Sequence, residues 1–176
     1  VLLIAVRTGE GTANIVTIAW AGIVGGGPPL LALDIAPSHH SMPHIEREGC
    51  FTANIPPSGL AVQADYCGIV SGRKDPDKAA TCGLTLLPAV HVTAPLIAEC
   101  PLNLECRLLK RVETGAGSFL LAEIVEAHAD EAVLTAEGKI DGLRLDPLVF
   151  AEDGYYHRLG ERVGKAFEIG KRLKRR

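Results

Sequence analysis

Short apolar runs rich in Val, Ile, Leu and Thr, separated by glycine and proline, set the pattern of this chain from its first residue. Val1 to Thr8 and Asn14 to Ile23 are apolar, and Gly9-Glu10-Gly11-Thr12 between them supplies the positive-φ positions of a hairpin turn. Gly25-Gly26-Gly27-Pro28-Pro29 ends the second strand and Leu30 to Ala36 reads as a third, so the chain opens with a meander. Ser41 is placed to cap a short helix over Pro43 to Glu48 that Gly49 stops, and Cys50 to Ile55 returns to strand until Pro56-Pro57-Ser58 breaks it.

Leu60 to Tyr66 carries apolar residues at alternate positions, which fits strand or helix, and its Ala and Gln content favours helix. Gly68 to Lys78 is polar and contains glycine, a loop leading into a short helix near Asp77 to Cys82; loops with structure of their own usually carry function. Leu96 to Val112 and Ser118 to Ala129 are long alternating strands joined by the hairpin Glu113-Thr114-Gly115-Ala116-Gly117. Asp146 to Phe150 and Tyr155 to His157 flank Glu152-Asp153-Gly154, another hairpin. Such a sequence predicts a mainly β fold, a closed antiparallel barrel with short helices inserted in one connection, because closure removes exposed strand edges.

Composition narrows the class. The 176 residues are 47% hydrophobic and 22% charged, enough for one domain with a core and incompatible with disorder of the body. No apolar run approaches the roughly 18 residues of a membrane span, and the longest, Ile15 to Val24, is interrupted by Gly22. The net charge is −3, yet Arg158 to Arg176 hold eight Lys/Arg against two acids, so the remainder carries −9. A body so acidic argues against a nucleic-acid groove, and Lys171 to Arg176 is expected to be a solvated basic tail. Five cysteines in a domain of this size suggest free thiols, a reducing compartment and a cytoplasmic protein. No secretory signal pattern opens the chain, and because Val1 to Val6 already reads as a buried strand, residues upstream of Val1 are expected to be missing.

Neither a P-loop nor a dinucleotide-binding glycine fingerprint is present. His39, His40 and His44 with Cys50 offer metal-ligating side chains, but Pro43 interrupts the spacing and no carboxylate falls at a His-Glu-x-x-His position, so they read as a polar helix entrance. Cys100 and Cys106 share parity within one expected strand and suit the core, whereas Cys67, in Asp65-Tyr66-Cys67-Gly68, lies in a polar, glycine-flanked stretch that leaves room for a reactive thiol. Ala36-Pro37-Ser38-His39-His40-Ser41 puts two hydroxyls and two imidazoles at a helix N-terminus, where unpaired N–H groups suit a phosphate. Ser71-Gly72-Arg73-Lys74 adds hydroxyl and cation in the structured loop, and together the two clusters indicate an anionic ligand.

The order of these stretches resembles the flavin reductase-like family of FMN-binding split barrels, in particular its flavoredoxin branch. The resemblance runs through Val1 to Val6, Asn14 to Gly22, Gly27 to Leu31, Pro37-Ser38, Asn54-Ile55-Pro56, Asp65 to Gly68 and Ser71 to Lys78. It continues in Ala94 to Ile97, Glu99 to Cys106, Asp146-Pro147-Leu148 and Tyr155 to Gly160. It implies a six-stranded antiparallel Greek-key split barrel over residues 1–170, with 171–176 as a basic tail, forming a homodimer with one FMN per subunit at the interface. The flavin ring would lie against Asn14, Thr17, Ile18, Ala19 and Trp20. The phosphate would sit by Ser38, His39, His40 and Ser41, with Ser71, Gly72 and Lys78 closing the pocket; Asn54 and Cys67 belong to the same implied set.

Relatives commonly carry arginine where this chain has His39 and His40, which implies an FMN affinity that falls as pH rises through the imidazole pKa. The implied activity is hydride transfer from NAD(P)H to FMN and onward to a flavin or protein acceptor, with no metal and no obvious acid or base. Two alternatives remain open: a flavoredoxin-type electron carrier served by a redox protein and without NAD(P)H oxidation of its own, and a haem-binding split barrel using His91, His128 or His157 as axial ligand.

Overall fold

The apolar runs pair into one antiparallel sheet in a computed structural model that describes residues 1–114 and 117–174. Its seven strands are β1 (Leu2–Gly9), β2 (Thr12–Ile18), β3 (Ala21–Gly26), β4 (Pro29–Asp34), β5 (Cys50–Ile55), β8 (Leu102–Glu113) and β9 (Ser118–Ala129), in the order β2-β1-β5-β8-β9-β4-β3. Two short pairs stand apart, β6 (Leu86–Leu87) with β7 (Leu96–Ile97) and β10 (Val149–Phe150) with β11 (Tyr156–His157). The helices are α1 (Ser41–Glu48), α2 (Ala61–Ile69), α3 (Lys78–Thr81) and α4 (Gly142–Leu145).

The two outermost strands, β2 and β3, are consecutive in the chain and separated only by Ala19 and Trp20. The sheet therefore curls until its edges meet at a covalent link, without a ladder of hydrogen bonds between them. This differs from the expected closed barrel, from the expected count of six strands, and from the reading of Asn14 to Ile23 as one strand. A strand passing from one edge of the sheet to the other has to break where it changes partner, here at a bend in which the Ala21 N–H donates to the Ala19 carbonyl at 3.1 Å.

Strand β1 explains why the chain opens with an uninterrupted apolar run. Ile4 and Val6 enter the core inside the curled sheet with Val16, Ile18, Leu33, Phe51 and Leu120, and α1 covers that core with Met42 and Ile45. Leu3 and Ala5 point the other way, into a second core with Ile15, Ala64 and Cys67 of α2, Ala79 of α3 and Ile97. A strand covered on both faces carries no polar alternation.

The expected strand Leu96 to Val112 is interrupted. Pro101 has no N–H to give, and Asn103 Nδ2 donates to the Cys100 carbonyl at 2.6 Å, so β7 leaves the main sheet and β8 begins anew. Cys100 and Cys106 consequently do not share a face: Cys100 packs in the second core and Cys106 in the first. The helix expected over Leu60 to Tyr66 is α2, extended to Ile69 and entered through a 3-10 turn at Ser58–Leu60. Gly115 and Ala116 of the expected β8–β9 connection, and Arg175-Arg176 of the tail, lie outside the described residues.

Candidate functional site

Three elements meet at one end of β2. Asn14, Val16 and Ile18 share a face of the strand; the last two enter the inner core, while Asn14 is carried past its rim to the first turn of α1. There Asn14 Nδ2 donates to Ser41 Oγ at 2.7 Å. Ser41 is thus not the N-cap: it is the first residue of α1, His40 occupies the cap position without a side-chain bond to the helix, and the leading N–H groups of α1 keep no side-chain acceptor from that residue. The loop between α2 and α3 closes over this end, stitched by the Lys74 and Asp75 N–H groups donating to the Ser71 carbonyl at 2.9 and 3.1 Å.

These elements enclose a pocket of about 310 Å³ lined by Asn14, Ser38, His39, His40, Ser41, Cys67, Ser71, Gly72 and Lys78, together with Val16, Gly68, Ile69, Val70 and Arg73. Lys78 is the dominant charge. Its side chain is buried, and Nζ donates to the carbonyls of Val70 at 2.7 Å and Cys67 at 3.2 Å, with no ion pair to a carboxylate among the described residues. Burial holds its pKa below the ordinary lysine value, opposed by the neighbouring Cys67, Asp75 and Cys82. His39 is lowered by burial and then by Lys78, with Asp34 opposing; His40 is lowered by burial and then by Arg73 and Lys78. Arg73 Nη1 reaches the Ser38 carbonyl at 3.4 Å across the mouth.

Two buried polar atoms in this region have no partner, Asn14 Oδ1 and His39 Nδ1. Such atoms are uncommon inside proteins because each forfeits its hydration. Gly72 packs against the first: a Cβ on Gly72 would lie 2.1 Å from Asn14 Oδ1 and 2.6 Å from His40 Cδ2. An unpaired ammonium, a helix N-terminus and an arginine offer donors to an anion, and a free carbonyl oxygen beside them accepts from a hydroxyl.

The family model for the flavin reductase like domain matches residues 1–158. The chain belongs to the flavin reductase-like family. Flavoredoxin of Desulfovibrio vulgaris (Miyazaki F) superposes on this flavin reductase-like chain with a TM-score of 0.91 and 34% identity, over 97% of this chain and 91% of that one. Flavoredoxin from Methanosarcina acetivorans does so with a TM-score of 0.89 and 34% identity, over 98% and 91%. An uncharacterized protein of Archaeoglobus fulgidus is 33% identical over 128 residues, 73% of this chain and 71% of that protein.

Other expected site residues of this flavin reductase-like domain fall outside the pocket. Thr17 and Ala19 line a second cleft of about 180 Å³ with Val1, Asp65, Phe150 and Tyr156; it shares Gly68 and Ile69 with the first, so the C-terminal end of α2 is the wall between them. Thr17 Oγ1 donates to the Ala64 carbonyl and Tyr156 Oη to Asp65 Oδ1 at 3.1 Å. The Ile18 side chain is committed to the inner core, and Trp20 is 69% exposed at the β2–β3 bend, lining neither cavity.

Asn54 is elsewhere and fully occupied: Nδ2 donates to the Leu3 carbonyl and Thr52 Oγ1, and Oδ1 accepts from the Ile97 N–H. The histidines considered for haem each face a carboxylate, His128 with Glu105 at 2.7 Å, His157 with Asp153 at 3.0 Å and His91 with Glu126 at 3.5 Å. His40 and His44 stack edge to face at 4.8 Å, and no group of three metal-ligating side chains occurs among the described residues. Gly68 and Tyr156 fall within stretches of the family resemblance, whereas Ile69 and Val70 of the wall and Phe150, which packs against Tyr156, carry no sequence signal of a site, because backbone lining and long-range approach leave no local pattern.

Proposed function

We propose that this chain binds FMN, with the phosphate in the pocket between α1 and α3, and acts as a flavin-dependent redox protein. The observation that carries the reading is the buried Lys78 ammonium, without an ion-pair partner among the described residues, facing the same pocket as the unpaired Asn14 Oδ1. Lys78, Arg73 and the N-terminus of α1 would hold the phosphate, and Asn14 Oδ1 would accept from a hydroxyl of the sugar chain. A pocket of about 310 Å³ sits at the small end of the roughly 300–1,000 Å³ found for small-molecule sites, which suits a phosphate and its polyol and leaves the ring outside. Thr17, Ala19 and Tyr156 line the adjoining cleft that is open to the ring. The flavoredoxins it resembles support this assignment.

Bound FMN would supply two-electron chemistry; the protein supplies binding, orientation and fixed positive charge. The proposed donor is NAD(P)H and the proposed acceptor a flavin or a protein. A homodimer would complete the ring site: Trp20, Ile23 and Val24 at the β2–β3 edge are each more than half exposed, and large apolar groups left together on a surface mark an interface.

Titrating the chain with FMN while following flavin fluorescence tests the binding, and mass in solution tests the dimer. Oxidation of NADH and NADPH with FMN added separates the two redox roles: sustained turnover supports a reductase, and binding without turnover supports the carrier. A chain that leaves flavin fluorescence unchanged at saturating concentrations has no such site.

A further inference from the structure

Two sulfurs that the flavin reading does not use lie together in the wall of the anion pocket. Cys67 on α2 is fully buried and lines that pocket. Cys82, which caps the C-terminal end of α3, is half-buried and opens instead onto a surface recess of about 160 Å³ formed with Val62, Gln63, Tyr66 and Thr81. Both are free thiols, and their Sγ atoms are 3.9 Å apart. The pair therefore spans the wall from the recess to the pocket. Cys50, Cys100 and Cys106 are buried and line neither cavity.

We propose that Cys67 and Cys82 form a thiol–disulfide exchange site whose substrate is a low-molecular-weight disulfide entering at the Cys82 recess. Cys82 attacks first, because it is the sulfur the recess exposes. Its thiolate displaces one half of the incoming disulfide: the Cys82–sulfur bond forms, the substrate's own S–S bond breaks, and the released thiolate takes up the proton that Cys82 gave to solvent. Cys67 then attacks Cys82 Sγ. The Cys67–Cys82 bond forms, the mixed disulfide breaks, and the second released thiolate takes up the proton lost by Cys67. Two thiols of the protein are oxidised and one external disulfide is reduced to two thiols, so electrons and protons balance.

The environment suits this order of attack. Burial, then the neighbouring Cys82, pushes the Cys67 thiol up to about 12, so free Cys67 is almost wholly protonated and inert toward outside reagents. The Lys78 ammonium, bonded to the Cys67 carbonyl on one side and carried by the helix that Cys82 caps on the other, opposes that rise and favours the Cys67 thiolate when it attacks. Once Cys82 carries the mixed disulfide, Cys67 needs no encounter with a partner, and closing the ring joins the two walls that hold Lys78 in place.

The test uses the full chain, reduced, desalted and incubated with glutathione disulfide. Trypsin cuts at Arg73, Lys74 and Lys78, between the two cysteines, and an endoproteinase that cleaves after Asp and Glu cuts at Asp65, Glu99 and Glu105, so the double digest puts each of the five cysteines on its own peptide and a Cys67–Cys82 bond appears as one linked pair. The expected product is intact protein lighter by two hydrogens, that single linked pair, and full return to the thiols with dithiothreitol. Cys82→Ser should react at least about tenfold more slowly, and Cys67→Ala should stop with one glutathione on Cys82. Wild-type protein that halts at a stable glutathione adduct, links other cysteines or fails to react overturns the proposal. The wild-type peptide map decides it even if Cys67→Ala does not fold.

Discussion

Asn14 and Ser41 are 27 positions apart and joined by a hydrogen bond of 2.7 Å that fixes the end of β2 to the first turn of α1. The bond uses the Nδ2 donor and leaves Oδ1 of the same amide buried without a partner, over Gly72. One side chain thereby holds two walls of the pocket and offers it an acceptor. Replacing Asn14 by Ala removes both. We expect a stability loss of about 1 kcal/mol in urea unfolding, the usual net worth of one such bond, and an FMN affinity roughly tenfold weaker by fluorescence titration.

Gly72 leaves the space that Asn14 and His40 occupy at the pocket. A Cβ there meets Asn14 Oδ1 at 2.1 Å and His40 Cδ2 at 2.6 Å, so Gly72→Ala has to push both out of place. At Gly59 a Cβ meets nothing within 4 Å, which makes Gly59→Ala the matched control. FMN affinity should fall by roughly tenfold or more in the first variant and stay within about twofold in the second, each interval corresponding to about 1.4 kcal/mol per factor of ten. Isothermal titration measures both.

Lys78→Met should discriminate phosphate from ring. With the buried ammonium gone, FMN affinity should drop by about tenfold or more, while riboflavin, which has no phosphate, should bind both proteins alike. Equal losses for the two flavins would place the phosphate away from Lys78.

The imidazoles of His39, His40 and His44 are all held below the ordinary value, burial being the first cause at each. A base whose pKa falls on folding binds fewer protons folded than unfolded, so stability rises with pH in the window below about 6.5 and declines as pH drops through the lowered folded values. Urea midpoints measured from about pH 7.5 down to about 5.5 should fall, and His39→Gln with His40→Gln should flatten the slope. A phosphate bound beside these rings draws their pKa upward again, so binding takes up protons and FMN affinity should weaken as pH rises across the same range. An affinity that does not change between about pH 5.5 and about 8.5 removes both histidines from the phosphate site.

Glu105 supports the opposite side of the sheet. Its fully buried carboxylate accepts from the N–H groups of Val90, His91 and Val92 and from His128, clamping that loop to β8. Although burial works against it, these donors hold its pKa below the usual carboxylate range. Glu105→Gln turns one acceptor into a donor facing N–H groups and should cost about 3 kcal/mol in urea unfolding.

Much of this molecule is written in local pattern. The punctuated apolar runs determined the strands, the doubly covered β1, the helix that Gly49 ends with a φ of 65°, and the presence of two donor-rich clusters, because strand pairing, helix termination and backbone exposure depend on neighbours a few residues away. Family membership was legible for the same reason, since it rests on the order of such pieces.

Only the tertiary structure decided that Ala19 and Trp20 carry the chain across the split, that Asn54 serves the second core, that Ser41 receives Asn14 instead of capping its helix, and that Cys67 and Cys82 face each other. Each depends on which atoms arrive together from distant parts of the chain. A polar side chain reads identically in sequence whether its partner is water, a backbone carbonyl or a ligand. Packing makes that choice, by removing the water and leaving some atoms, such as Asn14 Oδ1, without a replacement.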